Sequence, residues 1–184
     1  MCTLSELCPV ERGWLDTVSP GPVSATEELC RGAFSPNDIQ RSTGEIKPAI
    51  IPSSHLYRGE VSVWRVGGTA QYNFAAACNE MSTRAKLDGR VLYRVCVATA
   101  EKIRCLAGSE DCRGGLCVID DTDCGNDERH PAHAHIRLCR SCRPWPTHEE
   151  AEKDEKFQEI RADLRQLFLS EQRMPSLSNP QSPD

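Results

Sequence analysis

The clearest hydrophobic patterns lie in the middle third of the chain. Residues 61–66 and 90–98 alternate between apolar, mostly β-branched side chains and polar ones, which predicts two strands. Between them, apolar side chains recur at helical spacing over residues 70–85, and Thr69 is a suitable N-cap for that helix. The order strand, helix, strand is that of a β-α-β unit, in which parallel pairing of the two strands is one option.

A weaker pattern precedes this unit. Ser24 and Glu27 have the spacing of a capping box, which predicts a short helix that runs to Arg31 and ends at the glycine after it. Residues 35–56 contain four proline or glycine breakers. We therefore expect a connecting stretch there, with at most one short strand.

Further along the chain, short strand-like and helical patterns follow each other. Residues 116–119 and 133–139 predict strands, and residues 99–104 predict a short helix. A capping box at Thr147 then opens a longer helix with one apolar stripe. This stripe consists of Phe157, Ile160, Leu164, Leu167 and Phe168. Helix 149–172 either packs its stripe on the sheet or offers it to another protein.

These elements predict an α+β domain over residues 24–145, with a small mixed sheet, a central helix and a Cys/His-rich segment at 105–142. Residues 1–23 form an irregular N-terminal arm, because prolines and glycines interrupt their few apolar positions. Residues 146–173 form a C-terminal amphipathic helix, and residues 174–184, rich in serine and proline, form a disordered tail.

Composition narrows the class of protein. The 184 residues are 39% hydrophobic and 5% aromatic, which predicts a core of small and branched aliphatic side chains. Such values exclude a collagen, a coiled coil and a wholly disordered chain. No apolar run approaches the ~20 residues of a membrane span, and no signal-peptide pattern follows Met1. We expect a cytoplasmic protein with no membrane partner and with reduced cysteines.

Charge is distributed unevenly along the chain. The net charge is −5, yet residues 46–104 carry nine basic against four acidic side chains. This basic third can hold an anion, but it contains no dense cluster of lysine and arginine. Duplex DNA, whose binding depends on neutralising many phosphates, is therefore disfavoured as a partner, whereas a nucleotide or RNA is compatible with the charge pattern.

Cysteine and histidine are concentrated between residues 105 and 142, which hold six of the eleven cysteines and three of the five histidines. Cys139 and Cys142 have the two-residue gap that lets both sulfurs bind one ion. Cys112 and Cys117, with two glycines between them, form a second pair. The four thiolates predict one structural zinc ion.

Other interpretations of these cysteines stay open. In a second version of the zinc site, Cys124 or His130 replaces either Cys112 or Cys117. In a third interpretation the thiols bind no metal and are inert or redox-active, with Cys112 and Cys117 as the sensing pair.

His133 and His135 lie two residues apart on a predicted strand, so both imidazoles project from the same face. This arrangement predicts a catalytic pair, with His133 as general acid or base, His135 orienting it, and Arg58 or Arg65 holding an anionic substrate. The alternative is two histidines on a half-exposed strand face, one of them hydrogen-bonded.

Four short motifs occur in a fixed order within residues 27–138. They are Cys30-Arg31-Gly32 up to Pro36, Lys47-Pro48-Ala49, Val61-Ser62-Val63-x-Arg65, and Pro131-x-His133-Ala134-x-Ile136. Their order resembles that in a set of small bacterial cytosolic proteins of uncharacterised function, some encoded near defence or conflict genes. The resemblance implies that Arg31, Ser62, Arg65 and His133 form one site. It also implies a structural rather than a catalytic zinc ion.

The sequence thus predicts two functions. The first is a zinc-stabilised regulatory or accessory protein that is not an enzyme and acts through protein–protein contacts in a bacterial defence system. The second is a transferase or hydrolase that acts on a nucleotide or RNA phosphate. In the second, His133, His135 and Arg65 are catalytic, and Arg31, Arg58 and Ser62 bind the anion.

Overall fold

A computed structural model describes residues 21–67, 72–106, 115–120, 130–138 and 144–175. Within these residues, six strands form one sheet. The strands are β1 (Glu28–Ser35), β2 (Val61–Val66), β3 (Val91–Thr99), β4 (Leu116–Asp120), β5 (His133–Leu138) and β6 (Gln172–Arg173). The helices are α1 (Ser53–Arg58), α2 (Phe74–Leu87), α3 (Ala100–Arg104), α4 (His148–Lys153) and α5 (Glu155–Leu169). A 3₁₀ turn, Pro48–Ile50, precedes α1.

The strand order is β4-β5-β2-β1-β3-β6, and every pair is antiparallel. The α+β class is confirmed, although the sheet is antiparallel rather than mixed. Strands β2 and β3 run in the same direction but do not pair, because β1 lies between them. The predicted β-α-β unit is therefore a split one, and its helix α2 crosses over β1.

The predicted helix that ends at Arg31 is wrong, because the chain forms the central strand β1 from Glu28 onwards. Leu29 and Cys30 are both fully buried, which means that the two faces of this strand are covered. Only the capping-box contact forms: the Glu27 carboxylate accepts a hydrogen bond of 2.7 Å from the backbone N–H of Ser24. That contact closes a turn ahead of the strand, and tertiary burial overrides the local helix signal.

A short helix also begins directly after Pro52. Residues 53–56, the end of the stretch predicted as a connection, form the first part of α1 (Ser53–Arg58), with Pro52 as its N-cap. Proline before a first helical turn starts a helix rather than interrupting it, since no backbone N–H is needed there. Gly59 ends α1 in the left-handed conformation (φ 79°), and a Cβ at this position would lie 2.7 Å from Cβ of Arg137. This position therefore requires glycine.

The other predicted elements form with small shifts of their ends. Helix α2 is capped by Asn73, whose side chain accepts from the N–H of Ala76 at 2.9 Å, while the predicted cap Thr69 lies outside the described residues. The Thr99 side chain caps α3 as expected, and accepts from the N–H of Lys102 at 3.4 Å. Residues 1–20 and 176–184, which include most of the predicted arm and tail, also lie outside the described residues.

The C-terminal helix is interrupted at Asp154. This residue ends α4 with extended backbone and caps α5 by accepting from the N–H of Phe157 at 3.1 Å. The apolar stripe of α5 is buried in the main core, where Phe157, Leu164 and Phe168 are fully enclosed. Of the two predicted roles for the stripe, the structure thus shows packing on the sheet.

The sheet separates two layers. One face packs against α1, α3, α4 and α5 and holds the larger core. The opposite face packs against α2, where Cys78 and Met81 meet Trp64 and Val95. No helix in the described part of the chain is long and apolar enough to cross a membrane.

Candidate functional site

Pairing of β2 with β5 brings Ser62 between His133 and His135. The register places Ser62 opposite His135 and Trp64 opposite His133, and alternate side chains of both strands share the α2 face. The Ser62 Oγ atom lies 3.0 Å from Nε2 of His133 and 3.3 Å from Nε2 of His135. The two imidazole rings meet edge to face, with centroids 4.7 Å apart.

This geometry has a direct consequence for the protons. The hydroxyl of Ser62 carries one hydrogen and two lone pairs, so it can donate to one imidazole while it accepts from the other. In that arrangement one histidine presents a basic lone pair to the serine, and the other presents an N–H. His133 is buried and His135 is partly exposed, which places the two rings at different depths from solvent.

The sheet opens next to this cluster. Pairing of β1 with β2 ends at Cys30 and Trp64, whereas β1 continues alongside β3 as far as Ser35. Arg31 spans the gap: its Nη1 donates to the carbonyl oxygen of Ser62 at 2.6 Å, and its Nε donates to the carbonyl of Ile50. A cavity of about 200 Å³ lies in the opening, and its lining includes Arg31, Asp38, His55, Ser62, Trp64 and Arg90.

The charges around the cavity favour an anion. Burial lowers the pKa of Arg31 to about 10, which still leaves it cationic at neutral pH. The pKa of His55 is lowered by its own burial and then by the positive charges of Arg31 and Arg58. Asp38 also lines the cavity, where its carboxylate accepts from the N–H of Phe34 at 3.0 Å and opposes the effect of burial on the pKa of Arg31. Arg90 adds a second guanidinium, so two cations face one carboxylate at the cavity wall and the local charge is positive.

Two predicted site residues are not part of this cluster. Arg65 is only 3% exposed and donates to Glu27 and Asp120, in each case at 2.7 Å. Its side chain leaves the opposite face of β2 from Ser62, because successive residues of a strand alternate. Arg58 is 51% exposed and pairs with Glu60 at 2.6 Å. The structure therefore unites Arg31, Ser62 and His133 from the predicted group of four, adds His135, and leaves Arg65 out.

Sequence reasoning missed His55. This residue lies in the stretch predicted as a connection, and only its position in α1 directs it towards the cavity. The signal that was overlooked is Pro52, since a proline followed by two serines is a typical helix start.

The predicted zinc ligands are mostly outside the described residues, which include Cys117 but not Cys112, Cys139 or Cys142. Cys117 is disulfide-bonded. Its sulfur is therefore not a thiolate ligand in this oxidation state, and the expectation of reduced cysteines is wrong at this position.

Elsewhere in the described ranges, Cys30, Cys78, Cys96 and Cys105 are not disulfide-bonded. Burial raises the pKa of Cys96 to about 12, and it also raises that of Cys30. These two thiols are inert packing groups. Among the described residues, no group of three histidine, cysteine, aspartate or glutamate side chains could hold a metal ion. The zinc site stays a prediction.

Comparisons with other proteins do not assign the site. No protein-family model matches the chain, and no curated protein and no solved structure matches it either.

Proposed function

We propose that the protein is a transferase or hydrolase that acts on a nucleotide or RNA phosphate. The observation that carries the proposal is a single hydroxyl, that of Ser62, within hydrogen-bond distance of two imidazoles at the wall of a positively charged cavity. A nucleophile with a base in contact and an anion-binding cation nearby is the arrangement that nucleophilic phosphoryl transfer requires.

In this proposal, Ser62 attacks the phosphorus atom. Its proton passes to Nε2 of His133, which is the closer imidazole at 3.0 Å. A bond forms between Ser62 Oγ and phosphorus, and the bond between phosphorus and the leaving oxygen breaks. His135 in its cationic form gives a proton to that oxygen, consistent with its partial exposure.

Water or an acceptor hydroxyl then completes the reaction. Neutral His135 takes a proton from the incoming oxygen as it attacks the phosphorylated serine. The bond between phosphorus and Ser62 breaks, and His133 returns its proton to the serine oxygen. Both histidines and the serine are restored, so the cycle balances without a further reactant.

Arg31 supplies the positive charge in place of Arg58 and Arg65. Its remaining donors border the cavity while Nη1 and Nε hold the carbonyls of Ser62 and Ile50. A guanidinium fixed in this way stabilises negative charge that develops on the phosphoryl oxygens, because it needs no rearrangement during the reaction.

The test uses a panel of nucleoside mono-, di- and triphosphates and a short oligoribonucleotide, with product analysis by chromatography. We expect turnover by the wild-type chain, loss of turnover in Ser62→Ala, and a phosphoryl or nucleotidyl adduct on Ser62 in the intact mass of a stopped reaction. Ser42→Ala is the matched control, since Ser42 is exposed and far from the cluster. Turnover that survives Ser62→Ala removes the nucleophile from the proposal.

A second proposal is the zinc-stabilised accessory protein of a bacterial defence system. It is supported by the density of cysteine and histidine in residues 105–142. The buried stripe of α5 leaves no apolar face of that helix for a partner, so such a partner would contact another surface. Metal content and the effect of His133→Ala distinguish the two proposals, because an accessory role does not need this imidazole.

A further inference from the structure

A second cavity lies on the α2 face of the sheet and is lined by aromatic rings. Its volume is about 250 Å³, and its wall includes Trp64, Tyr72, Ala76, Asn79, Glu80 and His130. The ring of His130 meets Trp64 edge to face at 4.8 Å and Tyr72 at 5.7 Å. Such a mixture of flat rings and a few polar groups is typical of a pocket for a planar ligand.

This aromatic pocket is a neighbour of the candidate site. Trp64 lines both cavities and meets the ring of His133 at 5.6 Å. Ser62 and Trp64 are two residues apart on β2, which separates them by about 6.6 Å along the strand. That distance is comparable with the span of one nucleotide from its base to its phosphate.

The polar wall of the pocket has a defined protonation pattern. Nδ1 of His130 accepts a hydrogen bond of 3.1 Å from the N–H of Ala132, so the ring proton of the neutral imidazole is on Nε2. Nε2 faces Oε1 of Glu80 at 3.9 Å, which is beyond hydrogen-bond distance. Burial lowers the pKa of His130, so this contact is not an ion pair at neutral pH. Glu80 lines the pocket with its side chain 41% exposed, and within the part of the chain that the structure describes its carboxylate accepts no hydrogen bond.

Trp64 is only 6% exposed and the Arg84 guanidinium lies over its ring, 5.4 Å from the centroid, so Tyr72 is the ring assigned to stacking. We infer that the aromatic pocket binds a purine base that carries an amino group, with the ring plane against Tyr72 and the amino group donating to Glu80. The inference deepens the proposed function, on which it rests, by naming the substrate class as a purine nucleotide. The carboxylate accepts only, so it selects an edge with N–H donors, and stacking on aromatic rings supplies affinity for any base.

The experiment measures nucleoside binding by calorimetry, with two pairs of probes that differ by one amino group. The pairs are guanosine with inosine, and adenosine with purine riboside. We expect the amino-bearing member of at least one pair to bind more tightly than its partner, and Glu80→Gln to reduce that difference. Discrimination in only one pair supports the inference and identifies the base.

Tyrosine variants test the stacking. Tyr72→Ala is expected to weaken nucleoside binding by roughly five- to 150-fold, the range that corresponds to stacking of one base on an aromatic ring. Tyr72→Phe keeps the ring and is expected to bind as the wild-type chain does. Tyr72 is partly exposed, so the alanine variant is expected to fold, and circular dichroism checks this.

Nucleosides carry no phosphate, so the experiment separates this inference from the proposed function. If binding is present but no phosphate ester is turned over, the proposed reaction is wrong and the base pocket stands. Equal binding within both probe pairs, or binding unchanged by Tyr72→Ala, overturns the inference.

Discussion

Arg31 donates a hydrogen bond of 2.6 Å to the carbonyl oxygen of Ser62, the residue whose side chain lies between two imidazoles. Strands β1 and β2 stop pairing after Cys30 and Trp64, and beyond that point the Arg31 guanidinium bonds to the backbone of β2 instead. One side chain thus fixes the backbone of the proposed nucleophile and supplies the positive charge beside it.

Replacement of Arg31 by lysine keeps the positive charge but removes the planar guanidinium. Lysine lacks the fixed pair of donors with which Nε and Nη1 of Arg31 hold the carbonyls of Ile50 and Ser62, and each buried carbonyl left without a donor costs about 1–3 kcal/mol. We expect urea denaturation to show that loss for Arg31→Lys, together with weaker binding of inorganic phosphate. Arg58→Lys is the control, because Arg58 is exposed. Unchanged phosphate binding in Arg31→Lys contradicts the assigned role.

The variants His133→Ala and His135→Ala are expected to change the pH dependence of turnover in opposite ways. His133→Ala removes the base and with it the rise of kcat with pH on the acidic side of the profile. His135→Ala removes the acid and with it the fall of kcat on the basic side. Each loss is expected to lower kcat by roughly 10²- to 10⁴-fold. Steady-state rates across pH are the measurement. Identical pH profiles of the two variants and the wild type exclude the assigned roles.

Arg65 is expected to matter for stability and not for chemistry. Arg65→Ala leaves the carboxylates of Glu27 and Asp120 buried without their cation, which costs about 3–5 kcal/mol. Arg58→Ala, at an exposed pair, is expected to change the free energy of unfolding by no more than about 0.5 kcal/mol. Denaturant unfolding measures both. A lower turnover per folded molecule in Arg65→Ala contradicts this prediction and assigns Arg65 a part in catalysis.

Two partly buried histidines predict a loss of stability in mild acid. Burial lowers the pKa values of His55 and His130 below the ordinary value of 6.5. The unfolded chain binds more protons than the folded chain between those lowered values and 6.5, so the free energy of unfolding rises with pH across this window. The stability that the two neutral imidazoles contribute is lost progressively as pH falls below 6.5.

The double variant His55→Gln with His130→Gln removes both titrating groups. Its free energy of unfolding, measured in urea at a series of pH values, is expected to vary less steeply across the same window than that of the wild type. An equally steep dependence in the variant assigns the effect to other groups.

Metal content tests the zinc site and its relation to the disulfide. A sulfur in a disulfide does not bind zinc as a thiolate, so we expect one zinc ion per chain in reduced protein and less when Cys117 is disulfide-bonded. Plasma mass spectrometry on both forms gives the number. Cys139→Ser is expected to lose the metal, and Cys105→Ser, which changes an exposed cysteine outside the predicted quartet, to keep it. Zinc retained without Cys139 moves the site towards His133 and His135.

Elements with a complete amphipathic pattern were predictable. Apolar and polar side chains alternate along strands β2 and β3, and apolar side chains recur at helical spacing along α5. The positions of these three elements agree with those predicted from the sequence. Strand β1 was missed because burial on both faces removes the alternation that marks a strand. Helix α1 is too short for its periodicity to be visible.

The two-residue spacing of His133 and His135 predicts one part of the candidate site. The shared face of His133 and His135 is a property of one strand, so the sequence predicts it directly. The position of Ser62 between them depends on the register of β2 against β5, and that of Arg31 on where β1 leaves β2. Both are long-range relationships that no local pattern specifies, which is also why Arg65 could not be excluded beforehand.

The central position of β1 has a consequence for how the molecule forms. Glu28 at the start of β1 pairs with Thr99 of β3, and Ser62 pairs with His135 of β5, so most neighbours in the sheet are distant along the chain. Pairings of this kind close long loops and slow the folding reaction. The serine and its two imidazoles meet only after β5 has docked. A nascent chain that ends before β5 therefore lacks the proposed catalytic cluster, and the ability to react appears together with completion of the sheet.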